Sequence, residues 1–127
     1  LLDGGVSDPI PVKWMLSRGY EKNVVVLTRD VKYRKKANPK MQLFLKAVLH
    51  KYPAFLKDLE ERHIHYNETL EELASLEKEG RIHIIRPSSP IQAAMIERDE
   101  SNLERIYQTG RADMKKDLEK LKAYLDS

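Results

Sequence analysis

The stretch Asn23–Thr28, NVVVLT, decides the fold class of this chain of 127 residues. Its four central residues, Val24 to Leu27, are all apolar, without the alternation expected of a strand that has one face in water. A short strand that is apolar on both faces is typical of a parallel sheet covered by helices on each side. The stretch therefore predicts an α/β fold whose sheet is mainly parallel.

The residues before this strand have the pattern of a strand end, a turn and a helix. Residues 1–2 are both leucine and resemble the end of a buried strand, and DGG at residues 3–5 predicts a tight turn in which glycine permits a positive φ. Asp8 is the expected cap of a helix whose first turn contains two prolines. Gly19 is the expected C-terminal glycine of that helix.

After the valine strand, apolar residues return at helical spacing from Met41. A second helix then carries a stripe from Leu56 to Leu73 at alternating steps of three and four, and Gly80 ends it. Residues 82–86 predict a short strand that Pro87 ends. The order of elements predicts a fragment of a parallel sheet flanked by helices, with a helix-rich C-terminal half.

The last predicted helix begins near Asp99 and keeps its apolar period to Leu125. Ser101 and Glu104 have the spacing of a capping box at its start, although a start one or two residues earlier fits the sequence equally well.

Composition excludes several classes of site. The sequence has no cysteine, which rules out disulfides, thiol nucleophiles and cysteine-bound metals. Its 23 basic and 20 acidic residues are interleaved, as on solvated helix faces, so no nucleic-acid partner is expected. No stretch approaches the ~20 apolar residues that span a bilayer. We therefore expect a cytoplasmic protein, with peripheral membrane contact as the alternative.

The histidines do not predict a metal site. His63 and His65 are two residues apart on a predicted helix and point in nearly opposite directions, so they cannot share one ion there. No acidic cluster has matching spacing, and we expect no metal and no cofactor.

The densest positive segment lies after the valine strand. It contains Lys32, Arg34, Lys35 and Lys36, and its simplest interpretation is a solvated loop. The functional alternative is contact with anionic lipid headgroups. Nucleic acid is a weaker third interpretation, because Tyr33 alone is not a stacking platform.

Three segments carry a family resemblance. Residues 1–29, LLDGGVSDPIPVKWMLSRGYEKNVVVLTR, closely resemble the part of patatin-like phospholipases in which a strand leads to an Asp-Gly-Gly turn, a proline-started helix and a valine-rich strand. RIHIIRPSSPI at 81–91 and DESNLERIYQTGRADMKKDLEKL at 99–121 resemble the closing part of bacterial members. The specific motif is confined to the first dozen residues.

The resemblance implies a serine and aspartate dyad without a histidine. Asp3 would be the base that takes the proton of the serine hydroxyl, and Gly4 and Gly5 would form the catalytic turn. The alternative for Asp3 is a turn aspartate that bonds its own backbone, as in most Asp-Gly pairs. The surrounding match of turn, prolines and valine strand favours the catalytic role.

The sequence also departs from the family pattern. Ser7 is not the expected nucleophile, because Pro9 stands where the Gly-x-Ser-x-Gly elbow has its second glycine. These 127 residues contain no other elbow and no glycine-rich oxyanion loop. An aspartate base without a nucleophile performs no acyl transfer.

The resulting expectation is a fragment. Residues 1–38 would be the end of a patatin-like catalytic domain, and residues 39–127 a helical C-terminal region whose strand joins the same sheet. The intact protein would hydrolyse lipid or other esters, and this chain alone would be inactive. The alternative is a non-catalytic α/β module for interaction or oligomerisation. Uncovered strands predict self-association of the isolated chain.

Overall fold

The computed structural model describes residues 5, 8–94 and 96–127. Four helices and two strands are present in these ranges. In chain order they are α1 (Val12–Ser17), β1 (Asn23–Val26), α2 (Pro39–Leu49), α3 (Pro53–Lys78), β2 (Ile82–Ile85) and α4 (Glu100–Asp126).

The two strands form a parallel pair, which confirms the predicted α/β fold with a helical C-terminal half. The register joins Asn23 to Ile82 at one end and Val26 to Ile85 at the other. Beyond the strands, the amide of Leu27 donates to the carbonyl of Ile85 at 2.8 Å, so the pairing continues for one more residue. In the described parts of the chain, no third strand pairs with either outer edge.

One face of the sheet carries the core. Asn23 and Ile82 begin this face, and Val25 and Ile84 continue it, because alternate residues of paired parallel strands point to the same side. Leucines from α3 cover it, and Leu73 and Ile82 are only 1% and 2% exposed. Val12 of α1 completes the cluster.

The opposite face is covered only along β2. It carries Val24 and Val26 of β1 beside His83 and Ile85 of β2, and α4 packs against β2. Val24 is 41% exposed and Val26 69% exposed. The prediction that helices cover both faces of the valine strand is therefore wrong for this side of β1, because α4 packs over β2 and meets β1 at its first residue through Tyr124.

Two predicted helix starts need correction. Asp8 does not cap α1, which begins at Val12 after Pro11 and has no side-chain cap. Ser101 does not begin a capping box: Asp99 is the cap of α4, and its carboxylate accepts from the amides of Ser101 and Asn102 at 2.9 and 3.4 Å. An aspartate two or three residues before free amides satisfies them directly.

Two glycines end helices as predicted. Gly19 and Gly80 have φ angles of +84° and +71°, in the left-handed region where a residue with a Cβ is strained. Asn38 caps α2 by accepting from the amide of Met41 at 3.1 Å, so Pro39 belongs to the helix and not to the preceding loop.

The long helices extend far beyond the short strands. At about 1.5 Å per residue, the 26 residues of α3 and 27 of α4 span roughly 40 Å, whereas four strand residues span about 13 Å. Tyr124 lies at the start of the strands and Met114 near their ends, so α4 runs antiparallel to them. None of the helices in the described ranges could cross a bilayer.

Candidate functional site

The predicted catalytic turn is only partly within the described residues. Asp3 and Gly4 lie outside them, so the assignment of Asp3 as a base stays a prediction. Gly5 is described, and its carbonyl accepts a hydrogen bond of 2.8 Å from Nη2 of Arg62. The last residue of the predicted turn therefore contacts the middle of α3.

The basic loop, residues 30–38, connects β1 to α2 and is fixed at two points. Asp30 accepts from the amide of Lys32 at 2.9 Å and forms a local turn. Asn67 of α3 binds the backbone of Lys35 in both directions, with its Oδ1 2.9 Å from the amide and its Nδ2 3.0 Å from the carbonyl. The loop is thus attached to α3.

Aromatic contacts add to this attachment. Tyr33 meets Tyr66 of α3 edge to face, with ring centroids 6.1 Å apart. The guanidinium of Arg29 lies 5.0 Å from the ring centroid of Tyr33. Burial raises the pKa of Tyr66, and Tyr33 adds to this rise while Arg29 opposes it. The phenol of Tyr66 is therefore harder to ionise than that of a free tyrosine.

The four cations predicted to form one lipid-binding patch occupy different surroundings. Arg34 turns back on its own loop, where Nη1 donates to the carbonyls of Val31 and Tyr33 at 3.1 and 2.8 Å. Lys32 is exposed. Lys35 instead lies over Tyr66, with Nζ 5.6 Å from the ring centroid. Lys36 lines the same cavity as Lys35.

That cavity, the Lys35–Arg62 pocket, has a volume of about 170 Å³. The basic loop, the first turns of α2 and the middle of α3 enclose it. Its polar lining consists of Lys35, Lys36, Asn38, Gln42, Arg62 and His63, and no aspartate or glutamate of the described chain lines it. The described lining is therefore positively charged and supplies no counter-charge of its own.

Arg62 is the least satisfied group of the pocket. Its Nη2 is bonded to Gly5, but its Nε is buried and has no hydrogen-bond partner. Within the ranges that the structure describes, neither Arg62 nor Lys35 forms a salt bridge with a carboxylate. Burial lowers the pKa of Lys35, and the nearby Arg62 lowers it further. Both cations would gain from an anion.

The histidines of α3 lie in separate surroundings. Nδ1 of His63 is 2.8 Å from the carbonyl of Glu60 in the same helix turn. His65 lies on the outside of α3 beside Glu61 and Glu68, at 3.6 and 3.3 Å. In the described residues, no three histidine, aspartate or glutamate side chains are close enough to hold a metal ion.

A second cavity lies at the carboxyl ends of the strands. It has a volume of about 380 Å³ and is mostly apolar, with walls from Leu27, Ile85, Ile106 and Met114. The charged groups at its rim are already engaged. Arg86 pairs with Glu77 at 3.2 Å, and Asp113 accepts from the amide of Ser88 at 2.9 Å. This cavity has space for an apolar group but no free charge to orient one.

Sequence reasoning missed Arg62 and Asn67, which build the pocket with the loop. Periodicity identifies the apolar stripe from Leu56 to Leu73, whereas the polar residues between its members carry no periodic signal. The available signal was that Arg62 and Tyr66 are four residues apart and share one side of α3.

A family model matches the C-terminal part of the chain. Residues 52–126 match the family model described as "Domain of unknown function (DUF6363)". The matched range contains α3, β2 and α4, and therefore Arg62 but not Lys35. No curated protein and no solved structure matches the chain.

Proposed function

The chain belongs to the DUF6363 family, and from the resemblance of its first 29 residues we propose that it is the C-terminal portion of a patatin-like acyl hydrolase that acts on lipid or other esters. The observation that carries the proposal is the order of elements at the start of the sequence. DGG at residues 3–5 is followed by the proline-started helix α1 and the valine strand β1, as the resemblance to that family implies.

The contacts of these elements support the proposal. The bond from Arg62 to the carbonyl of Gly5 fixes the last residue of the DGG sequence against α3. A groove of about 420 Å³ runs along β1, with walls from α1 and from Val24 and Val26. A strand carrying a serine elbow could pair in such a groove, because β1 has no partner on that side in the described residues.

The proposed chemistry divides the dyad between two parts of a longer protein. The serine and the oxyanion loop come from outside these 127 residues, and Asp3 supplies the base. As the serine oxygen attacks the ester carbonyl, the carboxylate accepts the hydroxyl proton and then returns it to the leaving alcohol. Water hydrolyses the acyl-enzyme in the second step. Partial desolvation raises the pKa of a carboxylate and makes it a better acceptor.

The experiment uses the longest natural protein that contains this sequence. Asp3→Asn keeps the shape of the side chain and removes the proton acceptor, so hydrolysis of aryl esters and phospholipids should fall by about a thousandfold or more. Asp8→Asn, four residues before α1 begins, should leave the rate unchanged. A folded Asp3→Asn protein with near-normal activity would overturn the proposal, as would esterase activity of the chain alone that Ser7→Ala abolishes.

A second candidate function is a non-catalytic interaction or oligomerisation module. The observation that favours it is the exposed apolar surface of β1 and α2. Val26 and Phe44 are 69% and 62% exposed, and Leu43 is 72% exposed. Absence of a Gly-x-Ser-x-Gly segment from the longer protein would favour this function over hydrolysis.

A further inference from the structure

We propose that the Lys35–Arg62 pocket is an oxyanion site that binds a phosphate group. This inference rests on the pocket alone and does not require the ester hydrolase proposed above. It also differs from general attraction of the basic loop to lipids, because it depends on Arg62 of α3 and not on Lys32 or Arg34.

The first argument is the balance of charge. Lys35 and Arg62 face one cavity, Lys36 adds a third cation, and no carboxylate of the described chain lines it. Like charges in a partly desolvated site repel each other and lose hydration, which is costly without an anion. A phosphate monoester carries about −1.5 to −2 charges at neutral pH, more than a carboxylate, and so matches this lining better.

The second argument is the unused donor. Nε of Arg62 is buried without a partner, although most buried polar groups in proteins are hydrogen-bonded. A planar guanidinium fits phosphate oxygens well, and charge-assisted bonds of this kind are about twice as strong as neutral ones. The bond from Nη2 to Gly5 holds the guanidinium in place, so less side-chain conformational entropy is lost when a ligand binds.

The third argument is size. A cavity of about 170 Å³ has the volume of about five or six water molecules in the liquid. This volume accommodates one tetrahedral oxyanion with a little water and excludes a whole nucleotide. The amide side chains of Asn38 and Gln42 at the rim add donors that phosphate can use.

The same phosphate chemistry could come from a free phosphate ester or from a lipid headgroup. The pocket lies beside Met41, which is 51% exposed, so an apolar surface adjoins its rim.

Two arms of one experiment separate the free phosphate ester from the lipid headgroup. The first titrates the 127-residue chain with inorganic phosphate and follows amide chemical shifts. The second measures co-sedimentation with vesicles of phosphatidic acid or of phosphatidylcholine.

Two variants and one control give the readout. Lys35→Met and Arg62→Gln should each weaken phosphate binding by about tenfold or more, because each removes a charge-assisted contact. Lys40→Met removes the same charge from the neighbouring first turn of α2, outside the pocket, and should change binding less than about twofold. Among the described residues, Nζ of Lys35 forms no hydrogen bond or ion pair and only lies over the ring of Tyr66. Lys35→Met therefore remains informative if Arg62→Gln does not fold.

The outcomes decide between the sources. Saturable binding of inorganic phosphate that both variants weaken supports a free phosphate group as the ligand. Binding to phosphatidic acid vesicles alone, weakened by the same variants, supports a lipid headgroup. The proposed site is wrong if the chain binds neither inorganic phosphate nor the vesicles. It is also wrong if Lys40→Met weakens binding as much as the two pocket variants do. Neither arm measures ester hydrolysis, so this test and that of the hydrolase fail independently.

Discussion

His83 of β2 and Asp117 of α4 are joined across the layers of the fold, with Nε2 and Oδ2 2.5 Å apart. The ring of His83 also stacks on Tyr124, with centroids 5.6 Å apart. The hydroxyl of Tyr124 accepts from the amide of Asn23 at 2.9 Å and donates to the carbonyl of Arg81 at 3.0 Å. Since no residue of α4 is fully buried, polar contacts are a large part of its attachment to the sheet.

Removing the carboxylate of this pair should loosen α4. Asp117→Ala leaves the partly buried His83 without its partner, and we expect a loss of about 1–3 kcal/mol in the free energy of unfolding. Urea unfolding followed by circular dichroism measures it. Glu119→Ala, two residues away, is the control, because the side chain of Glu119 is 82% exposed and pairs only with Lys122. Equal effects of the two variants would contradict the assignment.

The sequence predicts the apolar parts of the fold well and its polar attachments poorly. The valine run and the stripe ending at Leu73 follow from periodicity, because burial of apolar side chains repeats with the element. His83 and Asp117 are 34 residues apart and have no periodic signal. Their pairing depends on the crossing of α4 over β2, which is tertiary information. The same reason explains why Lys35 was predicted but Arg62 was not.

The core around Leu73 should respond strongly to truncation. Leu73 is 1% exposed and belongs to the buried cluster that includes Ile82 and Ile84 of β2, so Leu73→Ala should cost about 2–5 kcal/mol through lost burial and a residual cavity. Leu43→Ala is the matched control, since Leu43 is 72% exposed on α2 and should change stability by less than about 0.5 kcal/mol. Denaturant titration of both variants under the same conditions gives the comparison.

Asp113 should make stability depend on acid. The amide of Ser88 and then its hydroxyl hold the pKa of Asp113 below its ordinary value of 3.8. When the pKa of a carboxylate is lower in the folded state than in the unfolded state, the ionised carboxylate stabilises the fold at pH values above the unfolded pKa. That contribution is lost as the pH falls through the lower folded value.

Comparison with Asp113→Asn isolates this contribution. The stability advantage of the native chain over the variant should be constant near neutral pH and should shrink below about pH 4. Urea unfolding at a series of pH values measures it. If the stability advantage of the native chain over Asp113→Asn grew on acidification, the stated direction of the Asp113 pKa shift would be wrong. Asp126→Asn, at the end of α4, is the control for general loss of negative charge.

The coupling between Lys35 and Arg62 can be measured without any ligand. Arg62→Gln removes a neighbouring positive charge, so the pKa of Lys35 should rise towards its ordinary value of 10.5 while staying below it, because burial of Lys35 persists. Titration of the Lys35 Nζ resonance by NMR follows the change. Lys40 provides an internal reference in the same spectra. An unchanged Lys35 titration would mean that the two cations do not share one site.

The free side of β1 leads to the last prediction, self-association of the 127-residue chain. Val24 and Val26 are exposed on a strand whose outer edge has no partner in the described residues, and such edges pair with other chains. Sedimentation at several concentrations should therefore show a dimer or larger species. The double variant Val24→Lys/Val26→Lys should shift the association equilibrium towards the monomer, because charged lysines on an edge strand oppose its pairing with another strand. Val48 of α2 is 57% exposed in the native chain. Val48→Lys therefore tests whether the chains associate through that helix and not through β1. A native chain that stays monomeric at every concentration would show that its helices and two strands suffice as an autonomous unit.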